Sequence, residues 1–268
     1  TDGLARAESD APDHEPAAEG CRSKNDGAMH ACGHDAHAAM GLGVLQAVKD
    51  SDFNGTFKLV CQPAEERIGG GKAIAESGHL DDVDTLIAVH IGLDHPSGEV
   101  VAGIEGFLAV AQFAAEFRGA SSHAGARPEA GDNAMQAAAT AIENLYGIPR
   151  HSEGATRVNV GVIEGGTATN IVPERVAIEG EVRGDTTELM AYMDDTARRV
   201  AESAAEMHGC EGPVDRLGRA PSARGHADLR DAVAGVARTT DGVPPLLEPD
   251  PPRGSEDASS LLPPLQVR

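Results

Sequence analysis

Apolar residues recur at helical spacing through the alanine-rich stretch 34–48, which predicts a helix there. The run TFKLVC at 56–61 reads as a strand. Gly69, Gly70 and Gly71 interrupt the chain before a short helix predicted at 72–77. The near-continuous apolar run DTLIAVHI, 84–91, has the pattern of a parallel strand buried on both faces. Strands alternating with helices predict an α/β layer architecture.

The texture changes after about residue 105. Residues 107–117 read as one long strand, and 128–146 as a helix with Pro128 near its start. The stretches 157–162 and 176–182 alternate as strands, and 186–208 reads as a long helix. That helix carries Glu188 early and Arg198 and Arg199 late, the order the helix dipole favours. The order β-α-β-β-α predicts a ferredoxin-like split unit. Domain boundaries are accordingly placed at 1–105 with 210–268, and at 106–209 for an inserted second domain. The final stretch contains Pro244, Pro245, Pro249, Pro251, Pro252, Pro263 and Pro264, and its last residues show no clear pattern.

Composition narrows the class. The chain has 268 residues, 40% hydrophobic but only 3% aromatic, so Ala, Val, Leu and Ile must fill the core. Its net charge of -21 disfavours nucleic acid and anionic membranes as partners. The acids are spread along the chain rather than gathered in a tail, and few aromatics with many Asp, Glu, Ala and Gly suggest adaptation to high salt, a halophilic composition. No apolar run approaches the ~20 residues that cross a bilayer. The first twenty residues are polar and acidic, which supports a cytoplasmic reading, and the absence of an initiator Met suggests an incomplete start. Four cysteines show no zinc-finger or redox spacing; Cys61, in an apolar run, is expected in the core.

Cys32 keeps different company. His30, Cys32, His34, Asp35 and His37 fall within eight residues at a helix entry. Thiolate and imidazole are ligands suited to Zn, Mn, Co or Ni. Gly33 allows a tight turn that aims Cys32 and His34 inward, and Asp35 could hold a ring N–H and set its tautomer. A capped helix start with incidental histidines explains so dense a cluster poorly, although His37 alone could simply pack or hydrogen-bond. Glu65 and Glu66 follow the predicted strand 56–61, where one carboxylate can bind metal and its neighbour can serve as a base. His90 ends the second apolar run and is either a third ligand or a satisfied core histidine.

HACGHDAH, CQPAEE, AVHIG, SSHAGARPEAGDNA, GGTATNIVPE and GSEDAS, in that order, resemble the metal-dependent amidohydrolases of the aminoacylase/carboxypeptidase superfamily. GIPRHSEGATRVNVG points to its aminobenzoyl-glutamate hydrolase branch. The resemblance implies a zinc-peptidase-like catalytic domain, incomplete in this chain, carrying a ferredoxin-like lid and dimerisation domain. It places Cys32, His34, Glu66 and His90 on the ligands of two divalent ions, Mn or Zn, and Glu65 on the general acid/base. His123 and Asn170 fall on substrate contacts of the lid, with His123 reaching the partner's site in a homodimer. Arg183 lies near a position for a substrate carboxylate, and Asp2 is read as the remnant of an acidic motif supporting the metals.

The implied reaction is hydrolysis of the amide bond of N-acyl amino acids, of aroyl- or acyl-glutamate type. The family pattern also extends upstream of Thr1 and includes a later His, whereas no His follows His226 in this chain. Cys21 stands where an aromatic residue is more usual. The chain is therefore expected to be cut short at both ends, and an inactive remnant that keeps the lid and dimer surface is the competing reading. A metal-binding module without catalytic history accounts poorly for Glu65, His123 and Asn170 together.

Overall fold

The computed structural model describes residues 2–92, 95, 96, 98–243 and 254–261. The chain forms two compact units, Thr1–Glu99 with Ser260–Arg268, and Val100–Ser259.

The first unit holds the helices α1 (Glu15–Ala18), α2 (His34–Lys49) and α3 (Gly70–Glu76), with a 3₁₀ turn at Glu65–Arg67. Both helices predicted in this region are present. The two predicted strands are not. Residues 56–61 and 84–91 lie outside any β-ladder, and Ile87 and Val89 are more than half exposed. An apolar run becomes a buried strand only with a neighbour on each edge and a layer on each face. Neither segment has a ladder neighbour among the described residues, so each keeps its sequence pattern without its hydrogen bonds. Leu80 is the one buried apolar side chain described in 2–99, while Leu42, Val44 and Phe53 on or near α2 face outward. Cys61 is likewise exposed rather than in a core.

The second unit is built in the order β1 (Ala109–Arg118), β2 (Ser122–His123), α4 (Ala134–Tyr146), β3 (Thr156–Gly165), β4 (Ile171–Val172), β5 (Arg175–Gly184), α5 (Thr187–Met207), β6 (Val214–Ala220) and α6 (Ala227–Thr239). Its main sheet runs β3-β5-β1-β6, antiparallel throughout, and β2 pairs with β4 in a separate small ladder. This is the split arrangement that the element order predicts, with one extension. Sequence texture assigns residues 210–220 to the first domain, yet β6 completes the sheet beside β1. A central strand as apolar as β1 requires a ladder on both edges, and β6 supplies the second. α6 also falls within this unit. The Pro-rich stretches around Pro249 and Pro263 lie outside the described residues.

Alanine does in this core what aromatics do elsewhere. α4 buries Ala134, Ala137, Ala138, Ala141 and Leu145, and α5 buries Met190, Met193, Ala197, Ala201 and Ala204, each set spaced mostly three or four residues apart. Small side chains let both helices approach the sheet, where Phe113, Phe117, Ile178 and Val182 fill the space between. The helix predicted over 128–146 starts later than its sequence pattern. Pro128 belongs to a 3₁₀ turn, and Asn133 is the true cap, accepting from the N–H groups of Met135 and Gln136. Thr186 caps α5 through the N–H of Leu189. Asp194, buried on α5, is paired with Arg216 of β6, which ties helix to strand.

Candidate metal centre

The HACGH segment turns into α2 at Gly33, whose φ of 74° is left-handed. A Cβ there would lie 2.0 Å from Cδ1 of Ile91. Glycine is therefore required twice, for the backbone conformation and for the close approach of Ile91. The turn presents Cys32 and His34 toward His90. Cys32 Sγ is 3.5 Å from His90 Nε2.

His34 is 3% exposed. Its Nδ1 lies 2.9 Å from the main-chain carbonyl of Asp2. A carbonyl only accepts, so Nδ1 carries the hydrogen and the lone pair sits on Nε2. That nitrogen faces Glu65 Oε2 at 3.7 Å and Glu66 Oε1 at 3.9 Å, beyond hydrogen-bonding range. His90 is oriented the same way: its Nδ1 is 2.8 Å from the carbonyl of Ile91, which leaves the lone pair on Nε2.

The two carboxylates are aimed by strain. Ala64 and Ile68, on either side of the turn Glu65–Arg67, have φ of 50° and 51°. Left-handed backbone costs a non-glycine residue about 1–2 kcal/mol, and such costs collect where geometry serves a site. The turn is held from behind by Gly70, where a Cβ would stand 1.6 Å from the carbonyl oxygen of Pro63.

Asp2 closes the back of the centre. Burial pushes its carboxyl pKa up, but the N–H of Glu66, donating to Asp2 Oδ2 at 3.2 Å, helps hold it below the usual range. Asp35, expected to orient an imidazole, is instead exposed on the first turn of α2, and the His34 ring N–H goes to Asp2. His30 also reaches the Asp2 carbonyl, at 3.2 Å. His37 packs 4.4 Å from the His90 ring, centre to centre. Burial holds its pKa down to about 4, with His90 and His34 adding to the effect.

Two donor groups result: Cys32, His34 and His90, and His34, Glu65 and Glu66, the donor atoms of each lying within 4.8 Å of one another. His34 belongs to both. Glu66 Oε1 is buried with no hydrogen-bond partner, which is costly for a carboxylate oxygen unless a cation offsets it. Thiolate, imidazole and carboxylate converging in this way fit divalent metal.

The remaining predicted residues lie in the second unit. The β2–β4 ladder pairs His123 with Ile171, which brings His123 beside Asn170. His123 Nδ1 accepts from the N–H groups of Gly125 and Ala126, both at 3.1 Å, so a neutral ring carries its hydrogen on Nε2. Beside them a concavity of about 560 Å³ is lined by Met135, Thr167, Thr169 and Ile171. Arg183 is engaged by Glu181 through two nitrogens, at 2.7 and 3.2 Å, with Ser255 at 3.5 Å. Sequence reasoning reads Ile91 only as the end of the apolar run 84–91 and gives it no role at the centre. Its only signal is its place directly after His90.

The profile of Peptidase family M20/M25/M40 matches residues 4–266. A subunit of the p-aminobenzoyl-glutamate hydrolase of Escherichia coli (strain K12) is 41% identical over 267 residues, which cover 97% of this chain and 61% of that protein. This chain thus spans less than two thirds of the relative's length. The aminobenzoyl-glutamate utilization protein from Klebsiella pneumoniae superposes with a TM-score of 0.77 at 38% identity, over 86% of this chain and 60% of that one. The Bacillus subtilis YXEP protein, described as a dinuclear metal-binding peptidase of the M20 family, gives a TM-score of 0.63 at 26% identity, over 96% and 65%.

Proposed function

Because the chain belongs to Peptidase family M20/M25/M40, we propose that its first unit is the centre of a hydrolase cleaving the amide bond of N-acyl amino acids, of aroyl- or acyl-glutamate type. The observation that carries this is the convergence of a Cys–His group and a carboxylate group around His34, whose one free lone pair, on Nε2, is available to one ion of a pair.

In this reading Cys32, His34, His90 and Glu66 would hold two divalent ions, Mn or Zn. Glu66 takes the ligand role because its Oε1 is the buried oxygen without a hydrogen-bond partner. Bound ions would supply an acidified water and polarise the amide carbonyl. Glu65, beside Glu66 and without that orphaned oxygen, takes the proton from the attacking water and returns it to the departing amine. His123 Nε2–H and the Asn170 amide are donors for the developing oxyanion. Arg183 is the guanidinium for a substrate carboxylate, a service that requires it to exchange its hold on Glu181. The second unit acts as the lid and as the surface of self-association in a cytoplasmic protein. The Escherichia coli relative is named as one subunit of its hydrolase, which makes a different chain the alternative partner.

The exposed Leu42, Ile87 and Val89 favour a second reading, in which this chain alone is an inactive remnant keeping the lid surface. One experiment separates the two. Metal content and hydrolysis of p-aminobenzoyl-glutamate are measured for the 268-residue chain and for Glu65→Gln. Two bound ions, with turnover that the substitution lowers by about 10²–10⁴-fold, support the hydrolase. No bound metal and no turnover support the remnant.

A further inference from the structure

We propose that His37 is a positioning residue for the centre, latching the main chain at Ile91 and thereby setting the place of His90. The proposal rests on the metal reading above.

His90 sits at the end of a segment that no β-ladder holds among the described residues, so its position has to be fixed by other means. Ile91 fixes it in three ways. Its carbonyl accepts the Nδ1–H of His90 at 2.8 Å. Its side chain lies against Gly33, between Cys32 and His34. Its N–H donates to His37 Nε2 at 3.0 Å. The last bond is the one that reaches α2, which also carries His34. Through it, the loop bearing one imidazole is tied to the helix bearing another.

The same bond argues against His37 as a ligand. The lone pair of Nε2 is already taken by the N–H of Ile91, and the neutral ring carries its hydrogen on Nδ1. His37 therefore acts through Ile91 on His90. Partners that orient metal ligands in this way typically matter about 10–100-fold for metal affinity.

The test compares the full chain with His37→Leu, which has no acceptor, and His37→Gln, whose Oε1 can accept the same N–H. Cobalt(II) is titrated into each, and the thiolate-to-cobalt charge-transfer band of Cys32 reports the Cys32, His34 and His90 position. Hydrogen exchange at the Ile91 amide is followed without metal, and circular dichroism checks that each variant is folded. The expected result is cobalt affinity about 10–100-fold weaker in His37→Leu, near wild type in His37→Gln, with fast Ile91 exchange in the leucine variant alone. Equal cobalt affinity in a folded His37→Leu overturns the proposal, as does a glutamine variant as impaired as the leucine one. A wild-type chain that binds no cobalt overturns the metal reading and with it the metal role of His37; Ile91 exchange then decides whether the latch itself exists, and equal exchange in all three overturns that too.

Discussion

The Nδ1–H of His34 donates to the main-chain carbonyl of Asp2 across 2.9 Å, and this bond turns Nε2 toward Glu65 and Glu66. Because the acceptor is backbone, its loss cannot be produced by changing the Asp2 side chain. Asp2→Ala should therefore keep the His34 orientation, lose the contact to the Glu66 N–H, and weaken metal binding by less than about tenfold, below the usual range for outer partners. His34→Ala should lower the bound metal by about one ion per chain, since the one free lone pair of this ring can serve a single position. Metal-to-protein ratios after dialysis check both outcomes.

Gly33→Ala places a side chain in left-handed backbone and against Ile91. The backbone cost alone is about 1–2 kcal/mol. Displacement of Ile91 should also separate Cys32 from His90. The expected result is a lower thermal midpoint together with a weaker thiolate-to-cobalt band; an unchanged band would show that the turn does not set the Cys32 position.

His37 titrates in the folded chain near 4, below the ordinary value for histidine of about 6.5. The unfolded chain therefore takes up this proton first as pH falls. Stability from this group is intact above about pH 6.5 and is lost progressively between about 6.5 and 4. Urea midpoints of metal-free protein, measured with chelator across this window, should fall with pH in wild type and fall less steeply in His37→Gln.

The second unit can be weakened without touching the centre. Asn133 satisfies two N–H groups at the start of α4. Asn133→Ala should cost about 1 kcal/mol, within about 0.5–2. Chemical denaturation should show this loss while cobalt binding by the first unit stays as in wild type.

The second unit is legible in sequence because its elements are set by short-range pattern. The apolar spacing of α4 and α5 and the alternation of β3 and β5 survive in the structure within a few residues. The exceptions are local chemistry that competes with pattern: Pro128 turns before the helix, and Asn133 caps it. The first unit is misread wherever its pattern needs partners. TFKLVC and DTLIAVHI look like strands to any rule based on composition, but a strand exists only as part of a ladder.

Sequence alone determined the chemistry available to this protein. A thiol, imidazoles and paired carboxylates at those spacings, and the order of motifs that marks the family, can be read without coordinates. Only tertiary structure decided which atoms meet. Asp2 rather than Asp35 orients His34, because a ring N–H takes the acceptor that folding brings within about 3 Å and not the nearest acid in the chain. Ile91, an aliphatic residue with no chemistry of its own, joins His37, His90 and Gly33 through its main chain and its shape. Main-chain hydrogen bonds and close approach leave no mark on residue type, so such roles become visible only when the chain is folded.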